Sequence, residues 1–123
     1  METQDTSPAY AEMRHDASLG ALYRRNAETL GRTFSDLRDR VLGSTDMGNV
    51  SQALPAIHPM IGIGSLPAVN HQPDFARHCV SAAADQALVD AALALAWTAI
   101  DAACDPELSA RLRASAAGSD LKA

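Results

Sequence analysis

Apolar positions along the chain change their period several times. Residues 1–14 show no clear period and read as an extended lead-in. From Asp16 onward Leu19, Leu22, Tyr23, Ala27 and Leu30 recur on one helical face. That spacing predicts a helix at about 17–30, with Asp16 as its cap and Gly31 closing its end. The segment 33–42 mixes Phe34, Leu37, Val41 and Leu42 with four charges, and fits either a loop or a short strand.

The middle of the chain is patterned differently. Gly43, Ser44 and Thr45 form a small-residue turn, and Asp46 stands where a helix cap is expected before MGNVSQAL. Pro55 stops that short helix. Residues 57–63, with Met60, Ile61 and Ile63, read as a strand apolar on both faces, the kind found inside a covered sheet. Gly62, Gly64 and Pro67 loosen the next stretch of chain. Pro73 suits the first turn of a helix whose face carries Phe75, Ala76, Cys79 and Val80. A longer helix is predicted at about 83–103, with Leu88, Ala92, Leu95, Ala96, Ala99, Ile100 and Ala103 on its packed face. Pro106 ends it, and 107–116 could add a short helix with a weak face. The expected organisation is a lead-in at 1–14, a main body at 15–105 and a weakly helical tail at 106–123.

Composition narrows this picture. The 123 residues suffice for one small domain. Apolar residues reach 47% but aromatics only 4%, and alanine fills much of the difference, so the expected core is thin. A formal charge of −5 argues against a nucleic-acid partner, which needs a basic face. Arg24, Arg25, Arg32, Arg38 and Arg40 are interrupted by acids and read as a solvated face. Cys79 and Cys104 sit in apolar helical patterns without a CxxC pair, and are expected as buried free thiols in a reducing compartment. The first ten residues lack a signal-peptide pattern, and the apolar run at 91–100 is short of the roughly 20 residues of a membrane span. The expectation is a cytoplasmic chain with no membrane partner.

Four histidines are present, and none pairs with another at the spacing of a shared metal site. His15 reads as a surface or capping residue and His78 as structural. His58 stands on the expected strand beside Pro59. His71 lies in a loop between that strand and a helix, where open α/β sheets place functional side chains. Position alone leaves it as either a hydrogen-bonded loop residue or a metal ligand. Asp46 is fully explained by a capping role, and Asn49 and Ser51 by either substrate contact or cover for a helix start. No GxSxG elbow and no P-loop lysine occur.

The stretch 43–75, GSTDMGNVSQALPAIHPMIGIGSLPAVNHQPDF, carries a resemblance, together with ARH, the helix LVDAALALAWTAID and the upstream MRHDASLGALYRRNAETLGRTF. These motifs resemble the C-terminal part of the aminoacylase and glutamate-carboxypeptidase family of zinc amidohydrolases. The nearest branch looks like the p-aminobenzoyl-glutamate hydrolases and N-acyl-amino-acid hydrolases. The resemblance covers roughly residues 8–105. It implies an α/β fold class: a C-terminal fragment of a metallopeptidase catalytic domain, mostly helical, with one or two strands. It implies His71 as a ligand to one of one or two zinc ions. It also implies Asp46, Asn49 and, more weakly, His58 as substrate-binding residues for a small-molecule amide, an N-acyl or aminobenzoyl amino acid. The family's other ligands and its general-base glutamate have no counterpart here. The chain is therefore expected to be inactive alone and to need an N-terminal half carrying them. The alternative is a non-catalytic remnant or small protein-interaction module.

Overall fold

Asp16 caps the first helix. The computed structural model of the chain describes residues 9–34 and 45–118. The expectations for 35–42, Gly43 and Ser44 lie outside the described residues. Helix α1 is Ala17–Thr29, and the Asp16 carboxylate accepts the Leu19 N–H at 3.0 Å. At its other end Gly31 takes φ 82°, a conformation that costs glycine little. Gly31 and Arg32 then donate their N–H groups back to the carbonyls of Glu28 and Ala27 at 2.9 and 3.0 Å. These paired reverse bonds satisfy carbonyls that the helix end would otherwise leave open.

Helix α2 is Met47–Ala53. Asp46 occupies its cap position but makes no capping bond with its side chain; Thr45 Oγ1 accepts the Met47 N–H at 3.3 Å instead. The lead-in runs across this helix as extended chain. Asn49 Oδ1 accepts the Ala11 N–H at 2.6 Å and Asn49 Nδ2 donates to the Ala9 carbonyl at 3.1 Å. Ser51 Oγ accepts the Arg14 N–H at 2.8 Å, and Gln52 Nε2 donates to the Glu12 carbonyl at 2.6 Å. Gly48 makes this approach possible, because any Cβ there would collide with the Ala11 carbonyl. Three more helices complete the chain: α3 Pro73–His78, α4 Ala82–Cys104 and α5 Pro106–Ala117. Ser81 caps α4 by accepting the Ala84 N–H, and Asp105 caps α5 by accepting those of Glu107 and Leu108.

The core is the seam between α1 and α4. Tyr23, Ala27 and Ala94 are its buried centre, with Leu30 and Ile57 packed against it. Polar bonds close the rest of the seam. Asn26 Nδ2 donates to Thr98 Oγ1 at 3.3 Å and to Asp101 Oδ2 at 2.9 Å, and Arg25 adds a 2.9 Å bond to the same Asp101 oxygen. Arg32 donates to Asp90 Oδ2 through both Nε and Nη2, while Gln86 donates to Asp90 Oδ1 at 2.7 Å. Helix α5 is tied to the start of α1 by Arg111, whose two Nη atoms meet the two Asp16 oxygens at 2.8 and 2.9 Å.

Several expectations change. Residues 57–63 do not form a strand; among the described residues the only β pairing is an isolated parallel bridge between His15 and Ala56. The described residues are mostly helical, and the α/β sheet is not among them. Helix α4 packs through the face opposite to the one expected. Ala87, Asp90, Ala94, Thr98 and Ala102 are buried, while Leu88 is 71% exposed and Ile100 58%. The physical reason is that α4 is apolar nearly all round, so periodicity cannot choose its inner face. Small side chains and the carboxylates that meet Arg32 and Asn26 choose it instead. Cys79 and Cys104 are exposed, not buried. Although its uninterrupted apolar run is short, α4 is by length and composition long and apolar enough to cross a bilayer.

The carboxylates give two predictions. The Arg111 bond holds the Asp16 carboxyl below its ordinary value of 3.8. The Gln86 bond does the same for Asp90, reinforced by Arg32, and the Asn26 bond for Asp101, reinforced by Arg25. Groups lowered on folding contribute stability that is complete above the ordinary value and is lost as pH falls through the lowered one. Urea midpoints should therefore hold steady from pH 7 to about 5 and drop below about pH 4. Asp16→Asn should lower the midpoint at pH 7 and flatten the acid fall. Separately, Asn49→Ala should release residues 9–11 from α2, read as faster amide exchange at Ala11 with the α1–α4 seam unchanged.

Candidate functional site

His71 stands at a corner of the chain, in a turn just before the first turn of α3. Pro73 occupies the first turn of α3, and Gln72 precedes it in extended conformation. His71 itself has φ 64°, the only positive φ at a non-glycine among the described residues. That conformation is uncommon for residues with a Cβ and is held at some cost by its surroundings. The imidazole is exposed and has no hydrogen-bond partner among the described residues. The corner thus presents an unengaged ring to solvent on a specified backbone.

The other three candidates lie apart from it. Asp46 is exposed at the start of α2, its carboxylate in contact with Thr45 Oγ1 at 3.3 Å. Asn49 spends both ends of its amide on the lead-in. His58 is exposed on the extended segment that follows α2. A cavity of about 380 Å³ lies beside the His71 corner, lined by Ser65, Gln72, Asp74, Arg77 and His78 among others. Neither His71 nor Asp46, Asn49 or His58 lines it. Within it Arg77 and Asp74 pair at 3.0 Å, an exposed i,i+3 contact on α3. A second cavity, about 280 Å³, gathers Arg14, His15, Asp16, Ser51 and Arg111 at the junction of lead-in, α1, α2 and α5.

Among the described residues no three His, Cys, Asp or Glu side chains converge as a metal site requires. A catalytic zinc takes about three protein ligands, and His71 supplies one imidazole. The residues of this chain do not by themselves fit the zinc that the resemblance implies.

Sequence reasoning missed the polar residues that hold the segment after α2 to the helices. Arg32, paired with Asp90, reaches that segment through Nη1, which donates to the Gly62 carbonyl at 3.4 Å. The signal was present: Asp90 is a lone carboxylate inside LVDAALALAW, and a charge in such a run needs a partner. Ser51 and Gln52, which grip the lead-in, had no comparable signal.

No protein-family profile matches the chain, and no solved structure does. The chain is 38% identical over 108 residues to the Xaa-Arg dipeptidase of Homo sapiens, a match taking in 85% of this chain. It is 38% identical over 103 residues to the Xaa-Arg dipeptidase of Mus musculus, covering 80% of this chain. The chain spans 24% of the length of the first and 23% of the second. These similarities support a relationship to a metallopeptidase family, and they do not single out the p-aminobenzoyl-glutamate or N-acyl-amino-acid branch.

Proposed function

We propose that this chain is one portion of an amide-hydrolysing metallopeptidase architecture, with His71 as one ligand of a zinc ion and dipeptides or N-acyl amino acids as substrates. The observation that carries the reading is the match to the dipeptidases. Because it takes in 85% of the chain, it necessarily includes residue 71. The exposed, unengaged imidazole on a left-handed backbone supports it. The remaining ligands and a carboxylate base come from further chain, which we propose as the partner. The proposed contribution of this chain is to hold an imidazole at a fixed corner; Asp46 and, more weakly, His58 are proposed as contacts to the substrate, while the Asn49 amide is already spent on the lead-in.

A second reading, a non-catalytic interaction module, is favoured by one observation. Leu88, Val89, Leu95 and Ile100 expose large apolar side chains along α4.

Release of arginine from an Xaa-Arg dipeptide distinguishes these readings. With zinc, the chain alone should release none. Co-expressed with the unmatched part of the human dipeptidase, it should release arginine, and His71→Ala should reduce that rate by at least about 100-fold. A complemented chain that stays inactive, or a His71→Ala variant that keeps full rate, would sink the catalytic reading. The left-handed backbone supplies the structural control. His71→Gly should lose the activity yet remain within about 1 kcal/mol of the parent, whereas His71→Val should cost about 1–3 kcal/mol in urea denaturation.

A further inference from the structure

We propose that the cavity between the end of α1 and the segment after α2 binds a small aromatic monocarboxylate. The site is separate from the His71 corner and does not rest on the functional reading above. None of His71, Asp46, Asn49 or His58 lines it.

The cavity holds about 280 Å³, and its walls include Tyr23, Arg32, Phe34, Met60 and Ile61. An apolar cavity of about 150 Å³ suffices for a benzene ring, so this one has room for a ring and a carboxylate. Glycines complete the walls. A Cβ at Gly31 or Gly62 would meet nothing within 4 Å, so the space beside them is open.

The aromatic wall is held in place. The Tyr23 and Phe34 rings meet edge to face, with centroids 6.4 Å apart and planes at 85°. The Arg24 guanidinium lies 5.0 Å over the Phe34 ring and is itself paired with Glu28 at 2.9 Å. Rings set this way offer edges and faces to a third ring. Ile61 is half-buried and Met60 is exposed, and both add apolar surface to the walls. Methionine sulfur also packs well against ring edges.

Tyr23 supplies a donor with nothing to bond. The residue is 4% exposed, yet its hydroxyl makes no hydrogen bond among the described residues. No fully buried side-chain oxygen among those residues lacks a partner, so the hydroxyl tip reaches open space, and Tyr23 borders this cavity. A hydroxyl held away from water without a partner is costly, and an acceptor on a ligand offsets that cost. Burial pushes the phenol above its ordinary value of 10.0, with Arg32 pulling the other way. At neutral pH the hydroxyl therefore keeps its proton and can donate it.

Arg32 sets the sign of the ligand. No carboxylate lines the cavity, and Arg32 is the charged residue among its walls. Its Nε and Nη2 are committed to Asp90. Its Nη1 reaches the Gly62 carbonyl at 3.4 Å, longer than a good N–H···O bond. A carboxylate is a stronger acceptor than that carbonyl, since hydrogen bonds to an ionised partner are roughly twice as strong as neutral ones. A carboxylate that accepts from the Tyr23 O–H and from Arg32 Nη1, with its ring against Phe34 and Ile61, uses the donor, the charge and the apolar wall together.

Sodium benzoate titrated into the isotopically labelled full chain at neutral pH tests this. It should shift the amides of Gly31, Gly62 and Gly64 saturably below about 10 mM. Benzyl alcohol, of similar shape but without charge, should bind at least about tenfold more weakly. Tyr23→Phe should weaken benzoate by at least about fivefold. Its urea midpoint without benzoate should stay level or rise, because no hydrogen bond is lost. Absent or unsaturable shifts at those glycines would overturn the proposal, as would equal binding of the alcohol or a Tyr23→Phe chain that keeps its affinity. A Tyr23→Phe midpoint that falls would overturn it too, since the hydroxyl would then already have a partner inside the protein.

Discussion

One guanidinium, that of Arg32, joins three parts of the chain. It leaves the closed end of α1, meets the Asp90 carboxylate near the start of the buried stripe of α4, and touches the Gly62 carbonyl on the segment after α2. Asp90 is buried and accepts from Gln86 with its other oxygen, so both of its oxygens are used. A buried carboxylate is tolerated only with such partners, because an unpaired charge away from water is costly. A lysine could supply the charge but not three donors spread in one plane. The direction in which α4 lies on α1, and the track of residues 57–64, both depend on this contact.

The reliance on polar fastening follows from the composition. The buried apolar centre is Tyr23 with alanines, and alanine removes little area from water. Small side chains let two helices approach closely, and close approach brings Asn26 to Thr98 and Asp101. Geometry that bulky side chains would normally enforce is here enforced by hydrogen bonds. Among the described residues no buried side-chain nitrogen or oxygen lacks a partner, as such a seam requires.

Local signals in the sequence were reliable where the chemistry is local. Asp16, Gly31, Pro55, Pro73 and Pro106 marked helix ends because caps, left-handed glycine and the missing proline N–H act within a few residues. The face of α4 was not legible, because a helix apolar all round offers no periodic contrast and its orientation is settled by Asn26 and Arg32, over fifty residues away. The strand expected at 57–63 was to be covered on both faces; it lacks both that cover, with Met60 open to solvent, and its pairing, since each needs further chain to pack against. His71 could be found as a loop histidine, and its left-handed backbone could not. The grip of Asn49, Ser51 and Gln52 on the lead-in was hidden for the same reason: polar side chains on a short helix look alike whether they face water or another backbone.

The outward side of α4 has a consequence for handling the protein. Leu88, Val89, Leu95 and Ile100 open to solvent, and any contact that covers them removes apolar area from water at about 25 cal/mol per Å². A partner protein or neighbouring copies that dock on the folded chain meet that condition. By mass action each raises the free energy of unfolding in proportion to how tightly and how abundantly it binds. The measured melting temperature of the lone chain is then a property of its concentration and its buffer as much as of its fold.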